Sequence, residues 1–437
     1  MNLIQIDIPQ ESHSISNSLL KKGGLALFAV GLLIFLIGAT GVFEQYGLIY
    51  SIVSLGITTI GAVMFIFPSR NEGLPGIKNT GVFFRSASNR GAIAWITGVF
   101  LTTFYVILYW YPEYLVHLIK TTDPISYSII GKPANQWFLY GTLYTLAILV
   151  MGLKMIFKYR HSRYQIIRTL SVMFFQLVFA YLIPHFLEAL HQPEYYFSYF
   201  WPLKTSVLFP NDIYWLMSKP GALPQFMVFW GIVMSVIGVP IFTYFFGKRW
   251  YCSFVCGCGG LAETVGDPYR QNSDKSLKAW KIERWMVHSV LVFITITTGL
   301  LWANSYYHGE LLGSLSNGFS RTYGFLIGAA FSGVVGVGFY PIMGSRVWCR
   351  FGCPQAAILG IFQKYFSRFR ITTNGSQCIS CGNCSTYCEM GIDVRSYAQR
   401  GENIVRASCV GCGVCSSVCP RGVLNLENGP VKNRVKR

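Results

Sequence analysis

Charge is what this chain has least of. Only 12% of its 437 residues are Asp, Glu, Lys or Arg, where roughly 25% is usual. Hydrophobic residues make up 52%, so an ordinary soluble globule and a disordered chain are both excluded. Cysteine is missing until position 252 and then occurs 13 times; an odd number crowded at one end excludes a secreted disulfide framework. No C-x-x-C-H is present, which excludes c-type haem. No G-x-G-x-x-G follows a strand pattern, and there is no Walker sequence or triad context, which leaves no nucleotide fold. Acidic residues are the scarcer sign, 18 against 36 basic, for a net charge of +18. A nucleic-acid binder would share that sign but would not be this apolar.

What is present is a series of long apolar stretches. Eight reach the ~20 residues that a helix needs to cross ~30 Å of hydrocarbon: near 25–43, 48–67, 92–111, 136–157, 166–188, 225–246, 285–304 and 323–343. The first stands too far from the N-terminus, and too close to the second, to read as a cleaved signal peptide. With the N-terminus placed inside, 31 of the 36 basic residues fall on inner segments and five, Lys120, Lys132, Lys204, Lys219 and Arg321, on outer loops. Basic residues collect on the cytoplasmic side, so the expected topology is N-in and C-in. The expected localisation is a bacterial cytoplasmic (inner) membrane.

The outer loop 189–224 holds Tyr195, Tyr196, Phe197, Tyr199, Phe200 and Trp201. Such a group reads first as an aromatic belt at the membrane–water interface, and second as a quinone-lining surface. His185, Glu188 and His191 follow at the outer end of the fifth stretch. Ionisable groups at membrane depth point to function, so His185 and Glu188 are candidates for a quinone and proton site. His288 lies at the opposite end of its own stretch. It cannot share a b-type haem with His185 across ~30 Å of bilayer, and no haem is expected. His117 and Glu113 read as solvated.

Two segments repeat. Gly247-Lys-Arg249-Trp-Tyr-Cys252-Ser-Phe-Val-Cys256 and Gly344-Ser-Arg346-Val-Trp-Cys349-Arg-Phe-Gly-Cys353 both read G-x-R-x-aromatic-C-x3-C, each at the inner end of a stretch. Repeats in membrane proteins commonly pack about an axis with a site between them, so Cys252, Cys256, Cys349 and Cys353 are expected to converge. If each motif is helical, its two cysteines share a face. The quartet then suits a metal or an iron–sulfur cluster, redox thiols tuned by Arg249 and Arg346, or plain packing. Cys258 has no counterpart and receives no role.

The tail carries Cys378-x2-Cys381-x2-Cys384-x3-Cys388 and Cys409-x2-Cys412-x2-Cys415-x3-Cys419-Pro420. This is the bacterial ferredoxin run, present twice. Three closely spaced thiolates wrap one cubane, and the fourth of each run serves the other cluster. One [4Fe–4S] cluster is therefore assigned to Cys378, Cys381, Cys384 and Cys419, and the second to Cys409, Cys412, Cys415 and Cys388. Gly382, Gly411 and Gly413 allow close backbone approach. The first run ends Cys388-Glu389 where Cys-Pro is usual.

On these motifs the chain resembles the membrane polyferredoxins of the NapH, NosR and CcoG (FixG/RdxB) type. The resemblance covers roughly residues 225–427 and includes Gly391-Ile-Asp-Val-Arg395, similar to the CcoG branch. It implies electron transfer at the membrane, often on behalf of nitrate reductase, nitrous oxide reductase or copper-oxidase assembly; the preferred reading has the quinone pool or a redox partner protein as exchange partner. The chain departs from the group at Gly257-Cys258, and it lacks NosR's flavin domain and CcoG's sandwich domain; no flavin is expected. The expected fold is mainly α: a polytopic bundle of about eight spans with a C-terminal α+β two-cluster ferredoxin domain. The expected parts are 1–224, 225–370 and 371–437. Two [4Fe–4S] clusters are expected, with a third metal or cluster centre at the thiol quartet. An assembly factor handling copper for a respiratory enzyme is the alternative. A transporter is a third reading, weakened by the few ionisable residues in the spans.

Overall fold

A computed structural model describes residues 14–42, 46–70, 91–374 and 377–428. The loop charges Lys78, Arg85 and Arg90 and the basic end from Lys432 to Arg437 lie outside the described residues. The chain divides into two compact units, 1–73 with 113–139 and 74–112 with 140–437.

Among the described residues, seven helices are long and apolar enough to cross a membrane. They are α1 (Ser18–Thr40), α2 (Gly47–Ile66), α3 (Ala92–Trp110), α4 (Gln136–Lys158), α5 (Arg163–Ala189), α6 (Ala222–Phe246) and α7 (Leu277–Tyr306). The eighth expected stretch is helical but broken. It runs as Ser314–Tyr323, wide π-helical turns over Gly324–Val335, Gly336–Gly338, and a last turn Tyr340–Met343 after Phe339. Two of its glycines serve packing: a Cβ at Gly333 would stand 2.8 Å from the Tyr109 ring, and one at Gly338 would strike Thr102 on α3. Glycine and Pro341 make this segment a poor straight helix.

In the first unit α1 and α2 form a close hairpin. A Cβ on Gly24 or Gly31 would lie 2.5 Å from the backbone nitrogen of Phe65 or Thr58. Small residues that let two backbones approach supply packing that lipid cannot replace.

The second unit holds the candidate sites. The π-helical widening recurs within α5 (Phe175–Leu182) and α6 (Met234–Gly238). Such turns commonly mark functional positions, and here they pack on the cysteine motifs. A Cβ on Gly257 would stand 2.9 Å from Gln176 Oε1, and Met234 shares a core with Tyr251 and Cys252. After the second motif α8 (Pro354–Tyr365) leads to β1 (Phe369–Thr373), which pairs antiparallel with β2 (Leu424–Asn428), Phe369 opposite Asn428. This two-stranded sheet closes the cysteine-rich segment into an α+β domain. The same domain shares one hydrophobic core with α6, the first thiol motif and α8, through Met234, Tyr251, Leu359, Phe369, Ile392 and Leu424.

The aromatic loop after α5 corrects the belt reading. Phe200 is fully buried and meets Tyr251 edge-on at 5.6 Å. Trp201 donates its backbone N–H to Ser235 Oγ on α6 at 2.9 Å and its indole N–H to Thr298 Oγ1 on α7 at 3.1 Å. The loop is re-entrant. Irregular backbone at that depth is tolerated because protein surrounds it and satisfies its polar groups.

Candidate iron–sulfur and thiol sites

The two ferredoxin runs fold alike. Positive φ angles fall at Ser380, Gly382 and Gly391 in the first and at Gly411, Gly413 and Gly422 in the second. Gly382 caps the short helix Asn383–Thr386 and Gly413 caps Val414–Ser417. Only the glycines take this left-handed turn without a Cβ clash, and Ser380 is the one position that does it with a side chain. Two cavities result. One is lined by Cys378, Cys381, Cys384 and Cys419, the other by Cys388, Cys409, Cys412 and Cys415. Each draws three cysteines from one run and the fourth from the other, and four sulfurs around one enclosed space are the donor set of a cubane. The residues present therefore fit two such clusters.

The second thiol set is built differently from the expected helix face. Each C-x3-C is a helix break. Cys252 ends the short helix Arg249–Cys252 and Cys349 lies in Val347–Phe351, while Cys256 and Cys353 are extended N-caps of Gly257–Thr264 and α8. Neither N-cap sulfur makes a side-chain capping hydrogen bond. The four thiols lie within electrostatic range of one another. Cys353 feels Cys349, Cys252 and Cys256, and Cys252 feels Cys349.

Burial pushes the Cys252 thiol up to about 12 and raises those of Cys349 and Cys353. A hydrogen bond from Cys258 holds Cys256 down, to about 6. Buried thiols that stay protonated on their own are ligands that a bound positive group must ionise. Beside Cys353, the fully buried Gln355 has no hydrogen-bond partner for either amide atom among the described residues. The quartet thus fits a metal or cluster better than inert packing.

Arg346 meets the thiols as expected. Its Nη1 donates to Cys252 O at 3.1 Å and points to Cys349 Sγ at 3.7 Å. Arg249 does not. It lies over the Tyr164 and Phe369 rings at 5.6 and 4.5 Å, and Lys248 takes its electrostatic place beside Cys252 and Cys349.

Between the thiols and the tail lies a buried ion network. Glu263 pairs with Arg168 and with Arg346 Nη2 (2.6 Å), Glu389 with Arg346 Nε (3.0 Å) and Arg270 Nη1 (2.7 Å), and Asp267 with Arg270 Nε (2.9 Å) and Lys158 Nζ (2.7 Å). Glu389 is the residue that replaces the usual Pro, and it ties the first ferredoxin run to Arg346 of the second thiol motif and to Arg270. Cys412 stands at the network, close to Glu263 and Glu389. Gln165 adds a direct bond, Nε2 to Cys412 O at 2.8 Å.

Asp267 supplies a test. It is fully buried. Burial pushes its carboxyl up, but Lys158, Arg270 and Lys154 outweigh that and hold it well below the ordinary carboxylate range. A depressed folded value means the stabilisation is complete above the unfolded pKa of about 3.9 and is lost as pH falls through the folded one. Asp267→Asn is expected to cost about 3–5 kcal/mol at neutral pH, as for a broken buried pair. The gap to the parent protein should stay level from pH 7 to 5 and narrow below about 4. Thermal melts in detergent across that range check it; a gap independent of pH would remove the ion pair from the account.

His185 and Glu188 lie at the other end of α5, Nδ1 to Oε2 at 4.0 Å. From Gln165 to His185 the helix rises roughly 30 Å at 1.5 Å per residue. They are not brought to the thiols, but a polar row runs between. His185 meets the Tyr181 ring at 4.9 Å, Tyr181 OH meets Thr142 Oγ1 at 2.7 Å, and Gln176 Nε2 donates to Thr145 Oγ1 at 3.1 Å beside Gly257. Cys258 is exposed, and it stands within electrostatic range of Tyr105, Tyr109, Tyr140 and Tyr144. No spacing in the sequence pointed to this group, because its members come from three helices. His191 adopts a positive φ just beyond α5.

Comparison with known proteins finds iron–sulfur families over both regions. The 4Fe-4S dicluster domain family matches residues 377–424, and the 4Fe-4S binding domain family matches twice, at 227–276 and 324–373, one match on each thiol motif. The chain therefore carries ferredoxin-type 4Fe–4S domains on a body of membrane-type helices. It is similar to the "Putative electron transport protein YccM" of Escherichia coli (strain K12), 27% identical over 165 residues, which are 35% of this chain and 44% of that protein. It is also similar to an uncharacterized protein of Methanocaldococcus jannaschii, 26% identical over 181 residues, 41% of this chain and 67% of that one. The chain thus spans less than half the length of the first relative. No solved structure matches it.

Proposed function

We propose that this protein is an integral-membrane iron–sulfur electron carrier that exchanges electrons between the quinone pool and a redox partner at the cluster-bearing face. One observation carries the reading: among the described residues, the two thiol motifs, the buried ion network and the ferredoxin cysteines pack against one another, through a shared hydrophobic core and the Glu263, Arg346, Arg270 and Glu389 pairs. Cys378, Cys381, Cys384 and Cys419 hold one [4Fe–4S] cluster, and Cys388, Cys409, Cys412 and Cys415 the second. The repeated 4Fe-4S binding domain match supports a third iron–sulfur site at Cys252, Cys256, Cys349 and Cys353. The clusters supply one-electron transfer. The residues around them hold that chemistry in place: Arg346 and Lys248 bring positive charge to the quartet, and Arg168 and Arg270 bring it to Cys412.

The excess of basic residues on the inner segments supports a ferredoxin face on the cytoplasmic side, with N- and C-termini inside. Quinol oxidation releases two electrons and two protons. His185 and Glu188 take the two protons at the outer end of α5, and the two electrons pass one at a time to two of the iron–sulfur clusters.

The test is anaerobic. Reconstituted protein in lipid is mixed with a short-chain menaquinol or ubiquinol, and bleaching of the visible iron–sulfur absorbance is followed. Quinol-dependent bleaching is expected, slowed at least tenfold in His185→Gln with iron content unchanged. If dithionite reduces the protein and neither quinol does, the quinone reading is abandoned while the carrier reading stands.

A further inference from the structure

A cavity of about 520 Å³ lies between α7, α8 and the loop 405–408 of the ferredoxin region, within the size range of small-molecule sites. Helix α7 offers it Trp280, Glu283, Arg284, Val287 and His288, whose i, i+3, i+4, i+7, i+8 spacing is a single helix face. Its wall is strongly basic. Lys248, Arg284, Arg350, Lys364 and Arg406 line it against one carboxylate, Glu283, and that carboxylate is already bound to Arg350 Nε at 2.7 Å.

The cations are layered. Lys248 and Arg350 are 2% and 3% exposed and form the floor, where Cys349 also lines the cavity. Arg350 Nη2 has no hydrogen-bond partner among the described residues. Arg284 and Lys364 are exposed at the rim and Arg406 is half-buried. Two guanidiniums, those of Arg284 and Arg406, lie over the Trp280 ring at 5.1 and 4.8 Å. Like charges gathered around one space repel unless an anion joins them. Guanidinium forks beside an ammonium are the usual recognition set for phosphate oxygens.

We propose that this cavity binds a phosphate-bearing anion, its phosphate held by Arg284, Lys364 and Arg406 and its apolar part laid against Trp280 and Val287. An anionic phospholipid headgroup and a free phosphate-bearing molecule share this chemistry. The occupant rests against the wall that carries Cys349. The inference does not depend on the quinol reading, since the cavity lies at the opposite end of the helices from His185.

Native mass spectrometry of the detergent-purified chain tests it with three probes: cardiolipin, phosphatidylcholine and inorganic pyrophosphate. Cardiolipin or pyrophosphate is expected to be retained at least tenfold better than phosphatidylcholine. Retention should fall to the phosphatidylcholine level in the variant Arg284→Gln, Lys364→Gln, Arg406→Gln. These rim residues are exposed or half-buried, and an unchanged iron content shows that the variant has folded. Cardiolipin that pyrophosphate cannot displace identifies a lipid site; displacement by pyrophosphate identifies a site for free phosphate-bearing molecules. Equal retention of all three probes, or unaltered retention in the triple variant, overturns the proposal.

Discussion

Replacing Arg346 with methionine is expected to cost the second unit about 3–5 kcal/mol, the penalty typical of one partner leaving a buried ion pair. Arg346 is 1% exposed. It joins Glu263 of the first repeat to Glu389 of the ferredoxin run and donates to Cys252 O. Methionine fills most of its volume, so the loss is electrostatic rather than a cavity. Arg168 still faces Glu263 and Arg270 still faces Glu389, which places the cost toward the lower end of that range. Arg346→Lys keeps one charge but cannot reach both carboxylates with a planar fork, and should recover less than half of the loss. Guanidinium near Cys349 Sγ also favours extra electron density on the quartet. The methionine variant should therefore shift the potential of the thiol-bound centre downward and leave the centre at Cys378, Cys381, Cys384 and Cys419 unmoved. Redox titration followed by EPR separates this from simple unfolding, which would broaden or abolish every signal together. A variant that melts like its parent would remove the network from the stability account.

How much of this was readable in the sequence depends on where the information sits. The ferredoxin cysteines were readable because their spacing is itself the constraint. Three thiolates at x2 intervals admit few folds, and the exchange of Cys388 and Cys419 follows from the doubled run. The convergence of the quartet was readable from the repeat. Its local shape was not: periodicity suggested one helix face, whereas the backbone breaks between the paired cysteines and makes Cys256 and Cys353 caps. Arg249 and Arg346 occupy matching places, yet only Arg346 turns to the sulfurs, because Tyr164 and Phe369 offer Arg249 two rings instead. The ion network draws Lys158, Arg168, Glu263, Asp267, Arg270, Arg346 and Glu389 from widely separated segments. The available signals were Arg168 inside an apolar stretch and Glu389 in the place of Pro. The aromatic loop misled because composition tells apart neither a belt on the surface nor a segment folded back into the bundle. Only the hydroxyls of Ser235 and Thr298, waiting inside apolar helices for Trp201, distinguish them. The eighth stretch has the apolar length to span, and Gly333 and Gly338 serve packing against Tyr109 and Thr102 at the expense of a straight helix.

Changing Cys252 and Cys349 to serine together is expected to remove about four irons per chain and leave about eight, if the quartet holds a cubane alongside the two of the tail. The pair is chosen from opposite repeats so that neither motif can supply its ligands alone. Serine keeps the volume and the hydrogen-bonding capacity of the buried thiols, so the surrounding helices should survive. Cys258→Ser is the companion variant. Cys258 hydrogen-bonds Cys256 without a counterpart in the second repeat, and its loss should leave the iron count unchanged. Cys388→Ser should behave in a third way. It lies in the first ferredoxin run but lines the cavity of Cys409, Cys412 and Cys415, so the centre lost should be the one whose other three ligands were untouched. Iron analysis with EPR of the reduced protein reads all three. Twelve irons falling to eight with the tail signals intact supports a third cluster. A parent protein with only eight irons, unaltered in the double variant, leaves the quartet as redox thiols or as a site for another metal. Copper titration of the same pair of proteins then decides between those, because copper bound by the parent and lost from the double variant would place metal handling, rather than electron storage, beneath the membrane helices.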